Sequence, residues 1–271
     1  MSSVPSVPPS ASLSAATPVA PSGASTPKAP AFAVVMTVKN GRPWIEEAIP
    51  SVLPSLGQDG ELVVVDAVST DGTTDYLRGV AGRSPLRLVV EPCSMGRGRH
   101  RGIVETGAPV VITQVDADVR YRPEAIRTGV AALQAHPGTG MVLVVGERDP
   151  DPDGTKLFVW DRAFYLRTPG YPDVNVGDDV VAVRQALLEG KVRRCLVDRI
   201  GDDLRTASRG YVAVREPWKK GPGFFRQSRR RYTQGWTWGV YVRFLWVTRR
   251  TTLRFLAGMG LATIARLAPA A

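Results

Sequence analysis

The sequence predicts an α/β protein with a mostly parallel central sheet flanked by helices. Three features point to this class: short β-branched apolar runs recur, stretches of helical length separate them, and Gly, Asn, Asp or Pro mark most junctions. A chain of 271 residues can bury a sizeable core. Two cysteines and two histidines exclude a disulfide framework, a Cys-rich zinc site and a His-cluster metal centre. With 44% apolar and 22% charged residues, the composition is that of a soluble globular protein.

The elements follow in order. Phe32–Val38 is a β-branched run that reads as a strand buried on both faces. Asn40-Gly41 marks a turn, and Pro43 suits the first position of a helix over Trp44–Leu56. Glu61–Val65 is the second strand, with a loop and a helix near Thr73–Val80 after it. Leu86–Glu91 is the third strand and Gly98–Thr106 a helix. Val110–Val115 is the fourth strand, Pro123–His136 a helix and Met141–Val145 a further strand. Alternation of this kind implies right-handed βαβ crossovers. An apolar-patterned helix is expected at Val180–Leu188, behind Gly177-Asp178-Asp179.

The two ends differ from this middle. Of residues 1–30, 21 are Pro, Ser or Ala, and Lys28 carries the only side-chain charge. Such a stretch cannot offset its ordering entropy by burial, so it reads as a disordered arm. It has no continuous apolar segment of the secretory kind, which points to a cytoplasmic location. The net charge of +10 is uneven: residues 1–214 sum to −1 and residues 215–271 to +11. The expected organisation is therefore an arm at 1–30, a catalytic domain at 31–225 and a basic, aromatic extension at 226–271.

In parallel α/β sheets, ligands bind beyond the carboxyl ends of the strands. Thr37 to Gly41 follows the first strand, Asp66 to Thr73 the second, and Asp116-Ala117-Asp118 the fourth. Asp116 and Asp118 would share a face if the strand continued, and like charges that close call for a cation. A hard divalent ion held by carboxylates and substrate phosphate oxygens resolves the repulsion; a solvated loop with two ordinary acids is the alternative. Asp71 can cap a helix whose N-terminus could also receive a phosphate. Gly96 to Gly102 is glycine-rich and basic but lacks a Gly-Lys-Ser/Thr ending, which excludes a P-loop. Its arginines remain candidates for a diphosphate. Asp178 and Asp179 at a helix start can be simple capping acids, or one can be a general base.

Taken together these segments resemble the family 2 glycosyltransferases, inverting enzymes with the GT-A (nucleotide-diphospho-sugar transferase) fold. Val34–Asn40 resembles the opening strand and Asn, and Val63–Thr73 the nucleotide loop "Val-Asp-Asp-Gly-Ser-x-Asp-x-Thr". Gly96–Gly107 resembles the "Arg-Asn-x-Gly-x-x-x-Ala-x-Gly" segment, Val115–Asp118 the Asp-x-Asp, and Gly177–Asp179 the acidic pair bearing the base. The resemblance implies single-displacement transfer of one sugar from a nucleoside diphosphate sugar to an acceptor hydroxyl, with Mg²⁺ or Mn²⁺. It implies that Asp116 and Asp118 hold the metal and Asp179 takes the acceptor proton. Thr37 and Asp66 would line the nucleoside pocket, with Asn40, Asp71, Arg97, Arg101 and Asp116 on the donor side. Three positions depart from the pattern: Ala67 replaces an Asp that reaches the nucleobase, Asp178 replaces Glu, and His100 replaces Asn. Gln227-Ser228-Arg229-Arg230-Arg231 does not match the Gln-x-x-Arg-Trp of processive synthases.

In the basic extension, Trp218, Phe224, Phe225, Tyr232, Trp236 and Trp238 alternate with Lys219, Lys220, Arg226 and Arg229–Arg231. This mixture suits an anionic membrane face, with the enzyme peripheral on the inner side. It also suits closure of the acceptor side or, third, nucleic acid. Phe255–Ala265 is too short to span a bilayer, which takes roughly 20 residues. Tyr232-Thr233-Gln234-Gly235 resembles a segment of family members with lipid-linked acceptors. Two other functions stay open at this stage: a sugar-1-phosphate nucleotidyltransferase, whose basic glycine-rich N-terminal signature is absent, and a non-catalytic nucleic-acid-binding protein.

Overall fold

Continuous apolar runs set the centre of the molecule. Phe32–Val38 (β1), Gly60–Asp66 (β2), Leu86–Val90 (β3) and Val110–Asp116 (β4) lie side by side and all parallel. The computed structural model describes residues 29–149, 156–175 and 178–204. The expected arm, the domain boundary at 225 and the extension at 226–271 lie outside them, apart from residues 29 and 30.

The seven-stranded sheet runs β3-β2-β1-β4-β7-β6-β8, with Met141–Gly146 as β6, Lys156–Asp161 as β7 and Val192–Val197 as β8. β7 is antiparallel to both β4 and β6, while β6 and β8 are parallel. "Mostly parallel" is thus correct, and β7 and β8 are strands of this sheet that the sequence pattern did not predict. A second, two-stranded sheet pairs Val119–Tyr121 (β5) with Gly201–Asp203 (β9) in antiparallel fashion.

Helices cover both faces. Arg42–Leu56 (α1) and Pro123–Gln134 (α4) pack with Ile112, Val115 and Val144 in one apolar cluster. Both begin with proline in the first turn, where its missing N–H costs nothing. Thr73–Ala81 (α2) packs on β3. On the other face, Met95–Glu105 (α3) and Arg162–Leu166 (α5) cover Val35, Val111 and Trp160.

Three local corrections apply. α3 starts at Met95 rather than Gly98, because the Ser94 hydroxyl accepts from the Arg97 amide as an N-cap. Its glycines serve close packing: a Cβ on Gly102 would lie 2.4 Å from Val35, and one on Gly96 2.1 Å from the Pro172 carbonyl oxygen. The expected helix at Val180–Leu188 is two short helices, Asp178–Ala182 (α6) and Arg184–Leu188 (α7). β4 ends at Asp116 and turns at Ala117-Asp118, so the two acids are not successive members of one strand face.

Candidate active site

The carboxyl ends of β1, β2 and β4 form one edge. In register, Thr37 sits beside Val65 on β2 and Asp116 on β4, and Val38 beside Asp66. Two loops leave this edge and are tied to each other by short polar side chains. Asn40 Oδ1 accepts from the Thr70 amide at 2.9 Å, and the Asn40 amide donates to Ser69 Oγ at 2.8 Å. Asp71 Oδ2 accepts from the Arg42 amide at 3.0 Å, and its Oδ1 from the Thr73 amide at 3.1 Å. Burial pushes the Asp71 carboxyl up, but the Thr73 hydroxyl and these amides more than reverse it, leaving it below its ordinary value.

Asp66 is fully buried. Its Oδ1 accepts from the Ser69 amide at 3.0 Å and the Ser69 hydroxyl at 2.6 Å, and its Oδ2 from the Thr74 hydroxyl. This carboxylate organises its own loop, with each oxygen engaged inside the chain. Val68 in the same loop has φ +58°, a strained value for a β-branched residue, and is 44% exposed.

Asp116 and Asp178 share one guanidinium. Arg99 Nη2 lies 3.2 Å from Asp116 Oδ1, and Nη1 lies 2.6 Å from Asp178 Oδ2. The Arg99 and Asp178 side chains are only 5% and 4% exposed, against 38% for Asp116. Burial opposes charge on Arg99, but Asp178 and then Asp116 overturn it and hold the guanidinium protonated. The Asp178 carboxyl is pushed up by burial, Arg99 pulls it back, and Asp179 adds to the rise. The 2.6 Å contact with an always-charged guanidinium makes the pair ionic despite that burial.

Asp116 is further fixed by its amide, which donates to the Tyr121 hydroxyl at 2.6 Å. Burial pushes the Tyr121 phenol far up, and the charges of Asp116 and Asp118 push it in the same direction. Asp116 and Asp118 stand on either side of Ala117 at this turn. They offer only oxygen donors, as a hard divalent cation requires. Among the described residues no group of three or more His, Cys, Asp or Glu side chains converges as a metal site. Asp116 and Asp118 thus fit a divalent ion whose remaining ligands come from elsewhere, such as a diphosphate.

Asp179, the expected base, has its Oδ2 3.7 Å from Lys156 Nζ at the start of β7. β4 carries a bulge here: its register with β1 shifts between Val34 and Met36, and Gln114 has φ +64°. The β4–β7 ladder ends at the Thr113–Phe158 pair. Gln114 is buried and its Nε2 has no hydrogen-bond partner among the described residues.

Arg97 and Arg101 meet acids outside this edge. They lie one helical turn apart on α3, on the side away from Asp116, because a period of 3.6 residues puts Arg99 opposite them. Arg101 Nε lies 3.3 Å from Glu91 and its guanidinium also pairs with Glu105; Arg97 Nε lies 4.0 Å from Glu91. Together with His100, Tyr171 and Asp173 they line a cavity of about 400 Å³. Arg99 is the arginine of this segment that reaches the site edge, buried on the same inward side of α3 as Gly98, Gly102 and Ile103.

The family model described as "Glycosyl transferase family 2" matches residues 33–184, which is more than half of the chain and includes every side chain of this edge. The chain belongs to glycosyl transferase family 2. It is a glycosyltransferase with the GT-A fold. Three solved structures show the same fold at low identity. The mannosyltransferase PcManGT from Pyrobaculum calidifontis, in complex with GDP-Man and Mn²⁺, is 19% identical, with a TM-score of 0.62, over 90% of this chain and 76% of that one. TarS 1-349 of S. aureus is 17% identical, with a TM-score of 0.51, over 63% of this chain; the match spans 59% of that chain. Glucosyl-3-phosphoglycerate synthase from Mycobacterium tuberculosis, with Mn²⁺ and UDP, is 17% identical, with a TM-score of 0.52, over 64% of this chain and 72% of that one. No curated protein matches the chain by sequence. Among the described residues, no helix is long and apolar enough to cross a membrane.

Proposed function

We propose that this glycosyltransferase moves one sugar from a nucleoside diphosphate sugar to an acceptor hydroxyl by single displacement with inversion. The observation that carries the reading is the pairing, across Arg99, of Asp116 in the Asp-x-Asp turn with Asp178, the residue before Asp179. Thr37 and the interlocked loops at Asn40, Asp66 and Asp71 shape the nucleotide side. Asp116 and Asp118 would hold Mg²⁺ or Mn²⁺, which when bound offsets the charge on the departing diphosphate. Asp179 takes the proton from the attacking hydroxyl, which is a weak nucleophile near neutral pH. The structures of relatives in complex with GDP-Man and Mn²⁺, and with UDP and Mn²⁺, support this donor class.

The basic, aromatic extension supports a location beside an anionic membrane face on the cytoplasmic side and an acceptor that is lipid-linked. That reading rests on residues outside the described ones. A thermal-shift panel of UDP-, GDP- and dTDP-sugars with and without Mn²⁺ tests the donor class. One nucleotide series should raise the melting temperature only when Mn²⁺ is present. No shift with any of them contradicts the proposal.

A further inference from the structure

We propose that Arg99 is a positioning residue that joins the two ends of the site: it fixes Asp116 directly and, through Asp178, places the short helix that carries Asp179. The inference rests on the proposed function and extends it to Arg99, which stands at the Arg of the Arg-Asn-x-Gly segment and had been given no role.

The guanidinium is used as a fork. Separate nitrogens contact Asp116 on the β4 edge and Asp178 on α6, 62 positions later in the chain. A planar fork can hold two carboxylates at a fixed mutual distance and angle, which a lysine ammonium on its flexible stem does less well. The two ends of the fork differ. The Asp178 end is sealed, whereas Asp116 keeps 38% of its side chain exposed toward the crevice. Asp178 is therefore the anchor, and Asp116 is the end that can meet a ligand.

The backbone around Arg99 leaves it no other direction. A Cβ on Gly96 would lie 2.8 Å from the Asp178 Cβ, so α3 and α6 touch at that glycine. The segment before α6 is stitched to the start of α3. The Gly96 amide donates to the Val174 carbonyl at 3.0 Å, the Met95 amide to Asn175 Oδ1 at 2.9 Å, and the Ser94 hydroxyl to Asp173 at 2.6 Å. The Arg99 guanidinium also lies 6.0 Å from the centre of the Tyr171 ring. α6 has only five residues, too few to hold a helix by backbone bonding alone. Its first residue is the one Arg99 grips.

Charge supports the same conclusion. One guanidinium between two carboxylates leaves a net negative charge, which favours a cation arriving at the open Asp116 end. A buried ion pair is often no more stabilising than well-packed apolar side chains of similar volume. If Arg99 and Asp178 served packing alone, apolar replacements would do as well.

That contrast gives the experiment. Two variants are compared with the wild-type chain: Arg99→Lys, and the double replacement Arg99→Met with Asp178→Leu. Four readouts are taken: melting temperature, hydrogen exchange across α6, Mn²⁺ affinity with UDP, GDP or dTDP present, and the rate of donor hydrolysis. For Arg99→Lys, which keeps the charge, we expect a folded protein with exchange at residues 178–182 at least tenfold faster. Mn²⁺ affinity and hydrolysis should each fall at least tenfold. The double variant should melt near the wild type, yet show the same losses. Unchanged exchange in Arg99→Lys overturns the positioning role even if no ligand is found. A double variant with wild-type Mn²⁺ affinity and hydrolysis shows that the pair is only structural. If the wild type itself binds no nucleotide with Mn²⁺, the donor reading fails, and the exchange result still decides whether Arg99 places α6.

Discussion

The two halves of the sheet are built differently. In residues 32–116, four parallel strands end at one edge, and their loops are tied to one another by Asn40, Asp66, Ser69, Asp71 and Thr73. Beyond Asp116 the sheet mixes directions, its helices α5 to α7 have five residues each, and two three-residue strands form a separate ribbon. The first half organises itself from local polar side chains. The second half receives its link to the site edge from Arg99, a side chain of the first half. The comparison suggests a nucleotide side that is set before substrate arrives, and an acceptor side whose placement is delegated.

The strongest way to break this division is Asp118→Ala. We expect donor hydrolysis and transfer to be abolished, with circular dichroism and melting temperature unchanged; normal turnover would remove Asp118 from the metal site. Next is Asp66→Ala, which orphans three donors in a buried loop. It should cost roughly 3 kcal/mol of stability by urea unfolding, given about 1–3 kcal/mol for each buried group left unsatisfied, partly relieved by relaxation. A loss under about 1 kcal/mol would mean that the first half does not depend on this network.

A smaller effect is pH-dependent. Because the folded Asp71 carboxyl is held below its ordinary value, its contribution is present above about pH 4 and is lost as pH falls through the folded value. The melting temperatures of wild type and Asp71→Asn should differ at pH 7 and converge toward pH 3. The smallest effect is Val68→Gly. Relief of the positive φ at an exposed position should stabilise the protein by about 1 kcal/mol. A destabilised variant would show that Val68 packs on something the strain serves.

The first half was readable because its strands are continuous apolar runs and its acids sit where those runs stop. β1 was placed to the residue and α1 and β2 nearly so. β7 was missed although Leu157–Trp160 is apolar, because antiparallel insertion between β4 and β6 is a tertiary choice that local pattern does not encode. β8, Val-Arg-Arg-Cys-Leu-Val at the edge of the sheet, shows neither an apolar run nor strict alternation, and β5 and β9 are too short to give a period. In the candidate site, Asp66 and Asp116 were legible because each ends an apolar strand run. Arg99 was not separated from Arg97 and Arg101, because a helix with arginines at every second position carries no local sign of which side meets the sheet. The polar interlock of Asn40 with Ser69 and Thr70 spans 29 and 30 positions, a distance over which sequence patterns carry no signal.

The most direct test of the division is calorimetric. The affinity for nucleotide sugar with Mn²⁺ would be measured for the wild type, Asp118→Ala and Asp179→Asn, alongside the transfer rate. We predict that Asp179→Asn binds the donor within about threefold of the wild type while losing about 10²–10⁴-fold in transfer, as expected for loss of a general base. Asp118→Ala should show no Mn²⁺-dependent binding. Wild-type binding by Asp118→Ala, or near-normal transfer by Asp179→Asn, would contradict the account.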